Sequence, residues 1–159
     1  MIIRRATDAD WPAIWNMLRP VFRAGETYAV ARDIDEAAAR TMWMDAPVAT
    51  FVAQTGEILG TYYIKTNHQG GGAHVCNCGY VTADAAQGRG VAAAMCEHSQ
   101  DAARDLGYRA MQFNMVLASN AGAVRLWQKL GFDIVGSLPA AFDHPSQGMV
   151  DGHVMWKAL

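Results

Sequence analysis

Apolar residues recur along this chain at two spacings, one typical of helices and the other of strands. Trp11, Ile14 and Leu18 share one face of a helix that begins after the cap residue Thr7 and ends near Phe22. Apolar runs bounded by glycine, proline or polar turns predict strands. The predicted strands are 2–5, 48–54, 58–66, 73–81, 109–117, 132–137 and 149–157. Three further helices are predicted, from Asp33 or Asp35 to Pro47, from Gly88 to Gly107, and from Ser119 or Asn120 to Leu130.

The order of these elements is β-α-α-β-β-β-α-β-α-β-β, which predicts an α/β fold with a mixed sheet and helices on both faces. The segment 138–148 is rich in turn residues and is predicted to be a loop. No repeat, linker or low-complexity segment interrupts the pattern, and 159 residues suit one core. We therefore expect a single domain over residues 1–159.

Composition and charge narrow the range of partners. Hydrophobic residues make up 52% of the chain and charged residues 18%, which is typical of a globular protein. The net charge of −2 argues against nucleic acid or an anionic membrane as the main partner. The chain has no secretory signal pattern, no apolar run near the roughly 20 residues that span a bilayer, and an odd number of cysteines. We expect a reduced, cytoplasmic protein.

A glycine-rich turn, Gln87-Gly88-Arg89-Gly90-Val91-Ala92, lies between a predicted strand and a predicted helix. Backbone N–H groups in such a turn point one way and, with the positive end of the helix dipole, form a phosphate site. A P-loop would need Lys and Ser or Thr after the glycines, and a dinucleotide fingerprint would need glycine where this chain has Ala93. The turn therefore predicts a phosphorylated cofactor of another kind.

Two motifs carry a family resemblance. Gln87-x-x-Gly90-x-Ala92 resembles the pyrophosphate-binding motif Arg/Gln-x-x-Gly-x-Gly/Ala of the GCN5-related N-acetyltransferase (GNAT) family. Asn120-x-x-Ala123-x-x-Leu126-Trp127-Gln128-Lys129-Leu130-Gly131-Phe132 is similar to the family's second signature, usually Asn-x-x-Ala-x-x-Leu-Tyr-Glu-Lys-x-Gly-Phe. The opening Ile3-Arg4-Arg5-Ala6-Thr7-Asp8 is also typical of the family. The resemblance implies the GNAT fold with splayed fourth and fifth strands and acetyl-CoA as co-substrate. No metal is expected, because His74, Cys76 and Cys78 share one face of a predicted strand, where side chains diverge and buried cysteines pack as small apolar residues.

The resemblance also implies how the cofactor is held. Backbone N–H groups of Gly88–Ala92 would bind the pyrophosphate, and the edge of the fourth strand, Gly79–Val81, would bind the pantetheine arm. An N–H near Tyr80 would polarise the thioester oxygen. Asn120 would bond the pantetheine, although a plain helix cap is an equal and compatible alternative. Trp127 replaces the tyrosine that usually protonates the leaving thiolate, so we expect it to pack on the cofactor while the thiolate leaves unaided.

Two asparagines stand in the middle of apolar strands, one on each predicted arm of the splay. Asn77 and Asn114 are expected to face the gap between the splayed strands, called the fork below, and to position the acceptor substrate there, because a buried amide needs hydrogen-bond partners. The alternative is a pair of structural amides that bond each other or a carbonyl. Glu26 and Tyr28 lie where the family places acceptor contacts, with ordinary loop polarity as the alternative. No carboxylate lies in either strand, so we expect water to take the proton from the amine.

Three stretches suggest a substrate class. Gly25-Glu26-Thr27-Tyr28, Ala73–Tyr80 and Phe113–Val116 are similar to microbial acetyltransferases that act on proline-related cyclic imino acids such as azetidine-2-carboxylate, in which the strand asparagines bind the acceptor. The resemblance implies acetyl transfer to a small amino or imino acid by direct attack in a ternary complex, with detoxification as a compatible role. A homodimer is expected by analogy. A protein or peptide N-terminal acetyltransferase and a non-catalytic acyl-CoA sensor remain alternatives.

Overall fold

Seven strands and four helices make up the computed structural model, which describes all 159 residues. The strands are β1 (Ile2–Arg5), β2 (Ala49–Thr55), β3 (Glu57–Thr66), β4 (Val75–Thr82), β5 (Ala110–Leu117), β6 (Asp133–His144) and β7 (Gly148–Ala158). The helices are α1 (Trp11–Ala24), α2 (Glu36–Arg40), α3 (Val91–Asp105) and α4 (Ala121–Lys129). The strands form one sheet in the order β1-β2-β3-β4-β5-β7-β6, in which only β4 and β5 pair in parallel. The predicted mixed α/β fold is confirmed.

Helices cover both faces of the sheet and bury two apolar layers. On one face, α1 and the turn after α2 bury Ile14, Phe22 and Trp43 against the sheet. On the other face, α3 and α4 bury Met95 and Trp127. Apolar stripes of this kind stabilise short helices mainly by removing hydrocarbon from water. None of the helices is long and apolar enough to cross a membrane.

The predicted splay of the fourth and fifth strands is present. β4 and β5 pair only at Val75 with Ala110 and at Cys76 with Met111, and then they part. β5 stays paired with β7 but contains an extra residue between Phe113 and Val116. A bulge of this kind bends its strand. The sheet therefore opens into a fork beyond Cys76.

The prediction of a loop at 138–148 is wrong, because most of this segment belongs to β6 and β7. The two strands remain paired on both sides of a register shift between Leu138 and Phe142. Pro139 and the left-handed Ala140 (φ 47°) lie within that shift. β6 is the outermost strand, so the missing N–H of Pro139 is tolerated there. Residues that usually mark a loop are accommodated here as an irregularity in an edge strand.

A buried carboxylate ties the first strand to the first helix. Asp10 accepts hydrogen bonds from two Arg4 guanidinium nitrogens, both at 2.8 Å, and from the Thr7 N–H at 2.7 Å. The Arg4 hydrogen bonds, and then those from Thr7, hold the pKa of Asp10 well below its usual range. A lowered folded-state pKa means that this stabilisation is present above the unfolded pKa of about 3.9 and is lost as the pH falls below it.

Asp10→Asn is expected to lower the free energy of unfolding by about 1–3 kcal/mol at pH 7, because the Arg4 charge loses its anionic partner. The difference in the free energy of unfolding between wild type and variant should decrease below about pH 4, where the wild-type carboxylate becomes protonated in the unfolded chain. Urea unfolding at several pH values measures both effects. Asp8→Asn is the matched control, since the Asp8 side chain is 89% exposed and its ion pair with Arg40 should contribute less than about 1 kcal/mol. Equal losses in both variants would contradict the assignment.

Candidate active site

The turn between β4 and α3 presents backbone donors that have no acceptor within the chain. Gly88 and Gly90 have left-handed φ angles of 72° and 77°, and a Cβ at either position would meet nothing within 4 Å. The N–H groups of Gly88, Gly90, Val91 and Ala92 make no hydrogen bond. They stand at the N-terminus of α3, a helix of 15 residues, where the helix dipole adds positive potential. The turn therefore forms an open anion cradle, defined here as residues 88–92.

One side chain of the cradle, Arg89, adds positive charge. Arg89 is exposed and forms no ion pair. Gln87 Nε2 donates to Asp84 Oδ1 at 3.1 Å, which holds the segment that leads into the cradle.

The predicted helix start at Gly88 moves to Val91, because Gly88 and Gly90 adopt left-handed backbone that a helix excludes.

Only part of the β4 backbone is free to face the fork. The Ala83 N–H donates to the Leu59 carbonyl at 2.9 Å, which sets the hydrogen-bonding phase of β4 against β3. Backbone groups alternate in direction along an antiparallel pair, so those of Gly79 and Val81 face β3 and those of Tyr80 face the fork. Within this stretch, Tyr80 therefore supplies the unpaired N–H on the fork edge.

The loop after α1 reaches across the fork to this edge. Tyr28 Oη donates to the Tyr80 carbonyl at 2.9 Å, and the Tyr28 ring packs against Phe22 and Trp43 with centroid distances of 5.7 and 5.9 Å. Burial raises the pKa of Tyr28 well above its usual range, so the hydroxyl keeps its proton. The Tyr80 hydroxyl instead hydrogen-bonds Ser99 of α3 at 2.7 Å, so the donor of Tyr80 at the fork edge is its backbone N–H.

The two strand asparagines do not bond each other. Asn77 is 6% exposed, and its Nδ2 donates to the Gln112 carbonyl at 2.8 Å, just beyond the last β4–β5 pair. Its Oδ1 accepts no hydrogen bond from the chain. Asn114 is exposed, donates to Asn67 Oδ1 at 2.8 Å and accepts from Gln112 Nε2 at 2.9 Å. Both amides are thus oriented by neighbours, and Asn77 retains a free acceptor.

Residues of α4 close the far side of the fork. Trp127 packs against the rings of Tyr80 and Phe113, with centroid distances of 5.1 and 5.3 Å, so one indole contacts a ring from each arm. Asn120 Oδ1 accepts the Ala123 N–H at 3.3 Å, which confirms the predicted helix cap. Both Asn120 and Trp127 also line the fork.

One cavity of about 760 Å³ joins these features. Ten of the predicted site residues line it: Glu26, Tyr28, Asn77, Gly79, Tyr80, Val81, Gln87, Asn114, Asn120 and Trp127. The cradle residues do not line the cavity, but they follow directly after Gln87, which does. Sequence reasoning missed Tyr63 and Lys65 of β3, which also line the cavity. The available signal was Lys65 itself, the one charged residue in the predicted strand 58–66.

The cysteines pack as small apolar residues. Cys76, Cys78 and Cys96 are all buried and unbridged. Burial raises the pKa of the Cys96 thiol to about 11, which leaves it protonated and unreactive at neutral pH. The structure contains no group of three or more potential metal ligands.

Comparison with known proteins gives the family. A sequence model of the acetyltransferase (GNAT) family matches residues 11–132. N-acetyltransferase aca1 of Schizosaccharomyces pombe is 30% identical over 96 residues, which make up 60% of this chain and 43% of that protein. The chain thus matches less than half the length of that relative.

Solved structures share the fold. A GCN5-related N-acetyltransferase from Kribbella flavida is 44% identical and aligns with a TM-score of 0.95 over 99% of this chain and 97% of its own. A phosphinothricin acetyltransferase from Sinorhizobium meliloti in complex with acetyl-CoA is 20% identical, with a TM-score of 0.87 over 99% and 88% of the two chains. The family match covers most of the chain and agrees with the splayed strands and the anion cradle, and this protein therefore belongs to the acetyltransferase (GNAT) family.

Proposed function

We propose that this protein transfers the acetyl group of acetyl-CoA to the amine of a small amino or imino acid, with both substrates bound together. One observation carries the proposal: a single cavity runs from the segment before the anion cradle, along the free edge of β4, to Asn77 and Asn114. A donor and an acceptor bound along this cavity would meet at the fork, where proximity supplies much of the rate enhancement.

The residues of the chain fit acetyl-CoA. The free N–H groups of the cradle and the charge of Arg89 suit a diphosphate, and no side chain fills the space above Gly88 and Gly90. Asn120 and Trp127 lie where they would contact the pantetheine arm. When bound, acetyl-CoA supplies a thioester whose carbonyl carbon an amine can attack. The complex of the Sinorhizobium meliloti relative with acetyl-CoA supports this co-substrate.

The acceptor end offers polar groups suited to a neutral amine. Asn77 Oδ1 is free to accept an amine N–H, and Tyr28 Oη keeps free lone pairs while its proton is donated to the Tyr80 carbonyl. The Tyr80 N–H faces the fork and would polarise an acyl oxygen. β4 and β5 contain no carboxylate, so water would take the proton from the amine.

The shape of the site favours a small acceptor. The loop 26–30 lines one side of the cavity, and Tyr28 fastens it to the fork edge. The cavity of about 760 Å³ must hold the acyl end of the donor as well. Together with the three stretches that resemble imino-acid acetyltransferases, this makes azetidine-2-carboxylate and proline the first acceptors to test.

Thiol release from acetyl-CoA, measured with cyclic imino acids, primary amino acids and short peptides, tests the acceptor class. We expect release with at least one small amino or imino acid and none with peptides, because Tyr28 holds the loop across the site. Release with peptides alone would indicate an N-terminal acetyltransferase. Binding of acetyl-CoA without turnover of any amine would indicate a sensor, and either result would overturn the proposal.

Gly90→Asp should weaken acetyl-CoA binding by at least about 100-fold, because the added carboxylate would repel the diphosphate in the cradle. Calorimetric titration measures the affinity. Gly107→Asp is the matched control: Gly107 also has a left-handed φ, of 89°, and open space around it, but it lies beyond the other end of α3. Unchanged affinity in Gly90→Asp would refute the cradle as the diphosphate site.

Asn77→Ala should lower kcat/KM for the acceptor by about 10- to 100-fold while acetyl-CoA affinity stays constant, because the free Oδ1 would no longer position the amine. Steady-state kinetics together with thermal unfolding separate this role from a structural one. The control is Asn16→Ala on the exposed face of α1. A fall in melting temperature with unaltered kinetics would show that the Asn77 amide only bridges the strands.

A further inference from the structure

Lys65 lies opposite Asn77 across the β3–β4 pair. Cross-strand partners project from the same face of a sheet, and both residues line the cavity. Asn77 and Thr82 are five residues apart on β4, so about 17 Å of strand separates this position from the end of β4 that leads to the cradle. The Lys65 ammonium is therefore beyond reach of a diphosphate in the cradle.

The Lys65 ammonium has no anionic or carbonyl partner. Lys157 donates to Gln100 and to the Leu130 carbonyl, whereas Lys65 forms no hydrogen bond and no ion pair. Its nitrogen instead lies over the Tyr63 ring, 5.4 Å from the centroid. Such a cation–π contact stabilises the charge and leaves the N–H donors free.

The Tyr63 ring that supports this ammonium is held in a fixed place. Trp43 packs against it nearly perpendicularly, at 89° and 4.8 Å between centroids. A Cβ at Gly79 would come within 2.7 Å of the ring, so the glycine provides the space in which the ring lies. The position of the Lys65 charge is thus set by packing on both strands.

Three charged residues line the cavity: Glu26, Lys65 and Asp84. Lys65 is the only cation among them. Asp84 accepts a hydrogen bond from Gln87 near the cradle, and Glu26, in the loop after α1, forms no ion pair with Lys65. An ammonium has donors and no acceptor, so the group that complements it carries anionic oxygen.

We infer that Lys65 binds the carboxylate of the acceptor and restricts the enzyme to α-amino and α-imino acids. Side chains of cross-strand partners start about 5 Å apart, a separation that suits an amine on Asn77 and a carboxylate on Lys65 when both groups belong to one α-carbon. An amine without an acid group would leave the Lys65 ammonium without an anionic partner. This inference rests on the proposed function.

The test compares an imino acid with its own carboxamide. The pairs are proline with prolinamide, and azetidine-2-carboxylate with its amide. Wild type should prefer the acid by at least about tenfold in kcat/KM. Lys65→Met should lower kcat/KM for the acid by about 10- to 100-fold, mainly through KM, and leave that for the amide nearly unchanged. Lys65→Arg should retain part of the preference, because the charge remains. Lys129→Met, at an exposed lysine of α4, is the matched control and should behave as wild type.

The outcomes separate the two proposals. Equal losses for acid and amide in Lys65→Met, or a wild type without preference for the acid, would overturn the carboxylate assignment while acetyl transfer itself stands. A wild type that acetylates neither compound nor any other amine would overturn the proposed function and this inference with it. Acetyl-CoA affinity, measured in the same variants, should not change.

Discussion

The parallel pairing of β4 and β5 stops after two residue pairs, and the rest of the site depends on that interruption. An unpaired strand edge in the interior is costly unless other groups meet its N–H and carbonyl groups. The Asn77 amide takes the first carbonyl beyond the ladder, that of Gln112, and the Tyr28 hydroxyl takes the Tyr80 carbonyl. The chain thus satisfies the edge in part and leaves donors on it for a ligand.

Packing keeps the two arms of the fork apart. Trp127 contacts a ring from each arm, Tyr80 of β4 and Phe113 of β5, and a stacked Phe132 supports Phe113 at 4.3 Å. Close-packed aromatic rings resist compression, so the arms cannot close without expelling a large side chain. The indole that replaces the usual family tyrosine therefore has a clear structural role as a spacer, which does not require it to donate a proton.

Features specified by local chemistry were predictable from the sequence. Glycines in the turn 87–92 predict free N–H groups, which are present. The left-handed φ angles of Gly88 and Gly90, which delay the helix to Val91, were not predicted. Helices with apolar stripes and caps, such as α1 and α4, fall close to their predicted bounds. The prediction of the splay came from the family resemblance, since no local pattern in β4 or β5 predicts that two adjacent strands will separate.

Features that depend on register were not predictable. The contact of Tyr28 with Tyr80 joins residues 52 positions apart, and the placement of Lys65 beside Asn77 follows from how β3 aligns with β4. Only the folded sheet brings such residues together. The loop predicted at 138–148 failed for a related reason, because proline and turn residues indicate a chain reversal only where no neighbouring strand supports the backbone.

The outer edge of the sheet is shaped by that same irregularity. β6 is 12 residues long, and its apolar residues Val135 and Leu138 are exposed. A straight apolar edge of this length would be a template for strand addition by another chain, a route to aggregation. Pro139 lacks the N–H that such a pairing needs, and the left-handed Ala140 turns the backbone out of line. The register shift between Leu138 and Phe142 divides the edge into two short segments, so a strand of another chain could not pair along its whole length.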